Sequence, residues 1–262
     1  MCSSISAGVV PLQGQRQALE ALDLAASVGE AWASGARVEL RTPAADHDRS
    51  ARARTLSEPE GKAALAAFGV RVPQSRVVKA HDAAAAAEAI GFPVVMKAAS
   101  ESLEHKSDVG GVVINIRTRA EATAAADRLA RLSDTLLVEE MVADGVAEVL
   151  IGMTVDPQFG QVLVLGAGGV LTELLRDTVS LLPPFTAPAI KSALMRLKVS
   201  KLLTGYRGRP PADVAALVET ALACTRYAEA NIDTLLELDI NPVIVRPAGR
   251  GAVAVDALIR LS

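Results

Sequence analysis

The chain has 262 residues, 50% of them hydrophobic and 22% charged, with a formal net charge of −3. That length and apolar content suit one large domain or two small lobes with real cores, and the charge excludes a general nucleic-acid binder. Aromatic residues are only 3% of the total, so the core is expected to be built from Ala, Val, Leu and Ile, and base stacking on aromatic platforms is not expected.

In chain order, "MCSSISAGVVPLQGQ" lacks the basic start and long apolar segment of a signal peptide. Residues 11–34 read as a helix with Leu19, Leu22 and Ala25 at helical spacing. The following "GARVELRTPAADHDRSARART", rich in charge, Pro and small residues, reads as a linker. Residues 1–54 are therefore expected to be a helical appendage. After it, "SEPEGKAALAAFG" predicts a helix with Ser57 as N-cap and Glu60 closing a capping box. "SRVVKA" reads as a strand, and "HDAAAAAEAIG" as an alanine helix stopped by glycine. "FPVVMKAA" and "GVVINI" are strands flanking a polar loop, and "RAEATAAADRLARLS" is a helix. "TLLVEEMV", "AEVLIGMTVD" and "GQVLVLGAGG" are three more strands. Two helices follow, "APAIKSALMRLKVSKLLTG" and "PPADVAALVETALACTRYAEAN", and the strands "TLLELDINPVIVRP" and "GAVAVDALIRLS" close the chain.

The pattern is mixed α/β, with several strands in direct succession; a doubly wound sheet would alternate more strictly. Neither a Walker A nor a GxGxxG motif is present, so any nucleotide site must use another device. Cys2 and Cys224 lie too far apart to suggest a metal or disulfide framework. No uninterrupted apolar run is long enough to span a bilayer. A reducing, cytoplasmic setting is expected.

Candidate chemistry is spread along the chain. His105, one of three histidines, sits in the loop "SESLEHKSDVGG" between two strands; on spacing alone it is a solvated loop residue or a mobile nucleophile. Lys97 ends an apolar strand, where a cation can face a cleft. Glu139 and Glu140 end one strand and Glu148 opens the next; such acids could bind ribose hydroxyls or metal, or face solvent. Gly166, Gly168 and Gly169 follow a strand, where backbone N–H groups can approach an anion or simply turn the chain. In "LLELDINPVIV", Glu237, Asp239 and Asn241 fall at i, i+2 and i+4. On a strand they share one face, and Asp256 would join them if the last two segments form a hairpin. Oxygen ligands on adjacent strands, with positions left for phosphate, suit Mg2+; the same pattern also describes a sheet with one wet face.

Taken in order, "LSEPEGKAALAAFGVRVP", "GFPVVMKAAS", "HKSDVGGV", "DPQFGQVLVLGAGG", "GYRGRPPAD" and "LDINPVIV" resemble the ATP-grasp domain of nucleoside-diphosphate-forming acyl-CoA synthetases of the acetate–CoA ligase (ADP-forming) type. These are relatives of the β subunit of succinyl-CoA synthetase. The resemblance covers residues 56–261. It implies an ATP-grasp fold of two lobes, 55–137 and 138–262, with a nucleotide cleft between them. It implies Mg2+ and ATP/ADP as cofactors, and interconversion of acid, CoA and ATP with acyl-CoA, ADP and phosphate. His105 matches a histidine that relays the phosphoryl group, and Lys97 a lysine on the nucleotide phosphates. Glu139, Glu140 and Met141 match the hinge that reads adenine through its backbone, and Glu148 an acid at the nucleotide site. Gly166, Gly168 and Gly169 match the turn near the phosphates, and Asn241 and Asp256 the metal ligands. Many relatives carry arginine in the segment "DTVSLLPPF", where this chain has Leu181.

"GVVPLQGQRQALEALDLAA" resembles the last helix of the CoA-ligase part of fused enzymes. The rest of that part, with the principal phosphohistidine, is expected on an α-type partner subunit or domain, giving a hetero-oligomer with no membrane or nucleic-acid partner. The competing reading is a catalytically inactive nucleotide-binding regulatory module or remnant. A stand-alone carboxylate–amine ligase fits less well, because residues 1–54 are too few for the additional substrate domain such enzymes carry.

Overall fold

Alternating apolar residues fold into two antiparallel sheets in the computed structural model, which describes residues 14–33, 40, 42–43, 52–99, 110–169, 172 and 177–262. The chain divides into two units, Met1–Glu39 and Leu40–Ser262. The first holds helix α1 (Gln15–Ala33), on which Leu19, Leu22, Leu24, Val28 and Trp32 are exposed. In the second, β1 (Arg54–Thr55) and α2 (Glu58–Ala66) lead to β2 (Ser75–Lys79), α3 (Ala83–Ile90), β3 (Val94–Ala98) and β4 (Val112–Ile116). Next come α4 (Arg119–Leu129), β5 (Thr135–Glu140), β6 (Ala147–Asp156), β7 (Gly160–Ala167) and β8 (Thr178–Leu181). The remainder is α5 (Ala187–Arg196), α6 (Ser200–Leu203), α7 (Val214–Ala230), β9 (Leu235–Val245), β10 (Ala252–Ala254) and β11 (Leu258–Leu261). Among the described residues no helix is long and apolar enough to cross a membrane.

The smaller sheet runs β2-β5-β3-β4 and the larger runs β1-β11-β9-β6-β7-β8, with β10 also on β9. The alanine run earns its place by size: Ala83, Ala84, Ala86 and Ala87 of α3 pack with Ala122, Ala125 and Ala126 of α4 over Val94, Met96, Leu136 and Val138 of the smaller sheet. Side chains no larger than a methyl let two helices lie close on one small sheet. On the larger sheet, α2, α5 and α7 cover one face, burying Leu65, Ile190, Leu194, Leu217 and Ala221 against Ile151, Met153, Leu163, Leu165, Leu238 and Ile240. The opposite face carries Glu237, Asp239 and Asn241, all partly exposed.

Several segments depart from the sequence reading. The helix expected over "APAIKSALMRLKVSKLLTG" breaks at Leu197, whose backbone is extended (ψ 151°). The carboxylate of Asp177 accepts the amides of Lys198 (2.5 Å) and Val199 (3.3 Å), starting α6 as a separate turn. The last strand splits into β10 and β11 around residues 255–257. The expected lobes, 55–137 and 138–262, map onto the sheets only in part. β1 pairs with β11, and Leu65 and Val70 join the core of the larger sheet, so residues 54–70 pack with the second lobe.

Candidate functional site

The site begins at α2. Its N-terminus is fixed by the expected capping box, in which the Ser57 N–H donates to Glu60 Oε2 at 2.9 Å. Glu58 and Lys62 stand one turn apart on the same side of this helix. Both are buried, as are Lys97 on β3 and Glu139 on β5. Lys62 Nζ lies 2.8 Å from Glu58 Oε1 and 2.5 Å from Glu139 Oε1. Lys97 Nζ contacts the same Glu58 oxygen and lies 3.0 Å from Glu139 Oε2. Both ammonium groups also donate to the carbonyl of Val255, at 2.9 Å from Lys97 and 3.3 Å from Lys62. Two cations and two anions thus close a square that ties α2 and the smaller sheet to the segment between β10 and β11.

The energetics of the square follow from its burial. Burial alone pushes the Glu58 carboxyl up, but the charges of Lys97 and Lys62 outweigh that and hold it at about 2. Burial alone would lower Lys97; the carboxylates of Glu58, Glu139 and Asp256 instead hold it well above the ordinary lysine range. Asp256 therefore lies within the electrostatic reach of Lys97.

Strand register brings the second half of the site to the same place. Val149 opposes Val243 and Ile151 opposes Ile240, so Leu150 faces two residues, Asn241 and Pro242. This is a β-bulge, and bulges re-aim side chains. On the other side of β9, Ala254 opposes Val243 and Leu258 opposes Asp239. The same register carried across the gap sets Asp256 opposite Asn241. Asn241 Oδ1 accepts the N–H of Gly169 at 2.8 Å, and Gly168 N–H donates to the Glu148 carbonyl at 3.0 Å. The turn after β7, Glu148 and Asn241 are thereby joined.

The two turn glycines are required for different reasons. A Cβ on Gly168 would lie 2.8 Å from the backbone N and C of Val149, whereas one on Gly169 would meet the tip of the Glu148 side chain. Backbone cannot move aside and a carboxylate can. Gly168→Ala should therefore cost about 2–3 kcal/mol of stability and Gly169→Ala, in left-handed backbone at φ 63°, about 1 kcal/mol. Urea denaturation of the two variants checks the order.

The other residues singled out in the sequence fall as follows. Gly166 sits inside β7 opposite Thr178, whose methyl a Cβ would meet at 2.9 Å, so it packs a strand and is not part of the turn. Leu181 lies opposite Leu163 and packs on the core of the larger sheet. Glu140 and Met141 direct their amides to the carbonyls of Gln74 (2.8 Å) and Pro93 (3.1 Å). The side chain of Glu139 points into the square and away from solvent. His105 lies outside the described residues. Sequence reasoning missed Glu58 and Lys62; their i, i+4 spacing was visible, but an exposed helix shows the same spacing.

On spacing, Asp239 is one of the strand-face oxygens that could suit Mg2+ or simply face water. Burial, then Glu237 and Asp256, push its carboxyl up to about 6. A cavity of 520 Å3 opens beside it, lined by Ala53, Thr55, Glu237, Leu258 and Arg260; it lies toward the β1 edge, apart from the Lys97 square. Among the described residues no group of three or more His, Cys, Asp or Glu side chains could hold a metal ion. The Asn241 and Asp256 pair offers hard oxygens and too few of them for a protein-only cage. That donor set fits Mg2+, which binds through one or two side-chain oxygens and completes its shell with water and phosphate.

The geometry now has relatives to stand beside. A family model of the ATP-grasp domain matches residues 48–261. Over 216 residues the chain is 36% identical to the beta subunit of acetate–CoA ligase [ADP-forming] II of Pyrococcus furiosus, covering 79% of this chain and 91% of that subunit. Over 215 residues it is 42% identical to a trans-feruloyl-CoA synthase of an unknown prokaryotic organism, covering 78% of this chain and only 30% of that protein. Among solved structures, a dinucleotide-forming acetyl-coenzyme A synthetase 1 of Candidatus Korarchaeum cryptofilum, in complex with coenzyme A and Ca-AMPCP, aligns with a TM-score of 0.75 and 34% identity, over 82% of this chain and 96% of the other. The same synthetase in complex with coenzyme A and Mg-AMPPCP, its phosphohistidine segment pointing towards the nucleotide-binding site, aligns with a TM-score of 0.71 and 36% identity, over 79% and 93%. The chain belongs to the ATP-grasp family, and within it matches the beta subunit of ADP-forming acetate–CoA ligases. It is homologous to about 30% of the length of the longer, trans-feruloyl-CoA synthase relative.

Proposed function

We propose that this chain is the nucleotide-binding part of an ADP-forming acyl-CoA synthetase, holding Mg-ATP or Mg-ADP and passing a phosphoryl group through His105 in the reaction acid + CoA + ATP = acyl-CoA + ADP + phosphate. The observation that carries the reading is the approach of Lys97 to Val255 and Asp256, with Asn241 opposite. A permanent cation stands beside the segment that carries the hard oxygen donors, the combination a polyphosphate and its metal require. Mg2+, when bound, would supply positive charge that neutralises the phosphates. Lys97 supplies positive charge to the phosphates, Asn241 and Asp256 hold the metal, and the Gly168–Gly169 turn and Glu148 border the nucleotide.

His105 takes the phosphoryl group: an imidazole nitrogen forms a bond to the γ-phosphorus as the bond to the ADP oxygen breaks, and the ring's proton is lost to solvent. A CoA-ligase partner of α type, carrying its own phosphohistidine and the acyl and CoA sites, completes the reaction in a hetero-oligomer. The beta-subunit relatives support that arrangement.

Calorimetry of the full chain with Mg-ADP tests the binding half; no heat at millimolar nucleotide overturns it. For the transfer half, [γ-32P]ATP with Mg2+ should leave an acid-labile, base-stable label on the wild-type chain and none on His105→Asn. Nucleotide binding without label, with a CoA-ligase partner also present, would instead support an inactive regulatory module.

A further inference from the structure

An ammonium group has three protons to donate; Lys97 gives two of them to Glu58 Oε1 and the Val255 carbonyl and pairs by charge with Glu139 Oε2 at 3.0 Å. Lys62 is saturated by the same three groups. To bind phosphate, Lys97 has to turn part of its charge away from these groups. Lys97 is the lysine placed to do so, since its side chain is 10% exposed against 4% for Lys62. Its departure would leave two buried carboxylates on the two sides of Lys62. With Lys62 present, each keeps a cation. Without it, the two buried carboxylates lose the cation that bridges them, which is strongly unfavourable.

We propose that Lys62 and Glu58 are positioning residues that set the charge the nucleotide's phosphates meet: Lys62 holds both carboxylates so that Lys97 can turn to phosphate, and Glu58 holds Lys97 back. The inference rests on the reading above, that the cleft takes a nucleoside polyphosphate. The square sums to zero as built. Neutralising Glu58 makes it +1, and neutralising Lys62 makes it −1. The two substitutions therefore act in opposite directions on a phosphate ligand, and neither acts on a ligand without phosphate.

The test compares Glu58→Gln, Lys62→Met and Lys62→Arg in the full chain, with Mg-ADP and adenosine as ligands and thermal melts to confirm folding. Glu58→Gln should bind Mg-ADP on the order of tenfold more tightly and Lys62→Met on the order of tenfold more weakly, the size expected of one charge at a partly buried site. Lys62→Arg should restore wild-type binding, and adenosine should bind all variants alike. If wild type binds Mg-ADP but Glu58→Gln weakens it, or if adenosine shifts together with Mg-ADP, the positioning role is overturned while the nucleotide site stands. If wild type binds no Mg-ADP, the site itself is overturned and this role with it. Should Lys62→Met fail to fold, the sign of the Glu58→Gln change decides alone.

Discussion

Lys97→Met should lose about 3–5 kcal/mol of folding stability at pH 7, the usual cost of removing one partner from a buried ion pair, and should lose Mg-ADP binding altogether. The thioether fills the methylene path of lysine, so the change tests charge and not volume. Glu58 and Glu139 would then share Lys62, 2.8 and 2.5 Å away, and the four-residue square would lose one of its two buried cations. The effect has a definite pH signature. Glu58 is held at about 2 in the folded chain against an ordinary 4.5, so its contribution is fully present above pH 4.5 and is lost as pH falls toward 2. The difference in urea midpoint between wild type and Lys97→Met should accordingly be largest near neutrality and shrink in acid. A difference below about 1 kcal/mol at pH 7 would mean the four side chains are screened by water, as surface pairs are.

Asp239→Asn should do the opposite and stabilise. Its carboxyl is pushed up to about 6 from an ordinary 3.8, first by burial and then by Glu237 and Asp256. A folded chain that holds this proton more tightly than the unfolded chain loses stability as pH rises from about 4 through 6. Above that window the ionised carboxylate costs roughly 1–2 kcal/mol, allowing for its partial exposure. Asparagine keeps the shape and removes the charge. In EDTA, which keeps divalent ions off the neighbouring Asn241 and Asp256, the variant should match wild type at pH 4 and exceed it by that amount at pH 7. Equal stability at both pH values would show that Asp239 is well solvated.

The fold was legible where local patterns decide it. Strand alternation in "AEVLIGMTVD" and "LLELDINPVIV" and the glycine stop after the alanine helix are local, and each appears in the structure. The break at Leu197 is not local: it depends on Asp177, some twenty residues earlier, accepting the amides of Lys198 and Val199. No glycine or proline marks it. The candidate site divides in the same way. Lys97, Glu139, Asn241 and Asp256 stand at strand ends or on a polar face, so their residue type against an apolar background drew attention. Glu58 and Lys62 lie in a helix whose sequence shows only its cap, Ser57 and Glu60. What buries them is contact with Lys97, Glu139 and Val255, at 39 to 193 residues of separation, and such contacts leave no periodic trace.

The pairing of Arg54 with Leu261 and of Thr55 with Arg260 brings the first and last strands of the larger sheet side by side. A polypeptide attached before residue 54 and one attached after residue 262 would therefore emerge at the same edge of the molecule. A circular permutant that joins these two points through a few flexible residues, and opens the chain at a surface turn elsewhere, would keep every rung of the ladder.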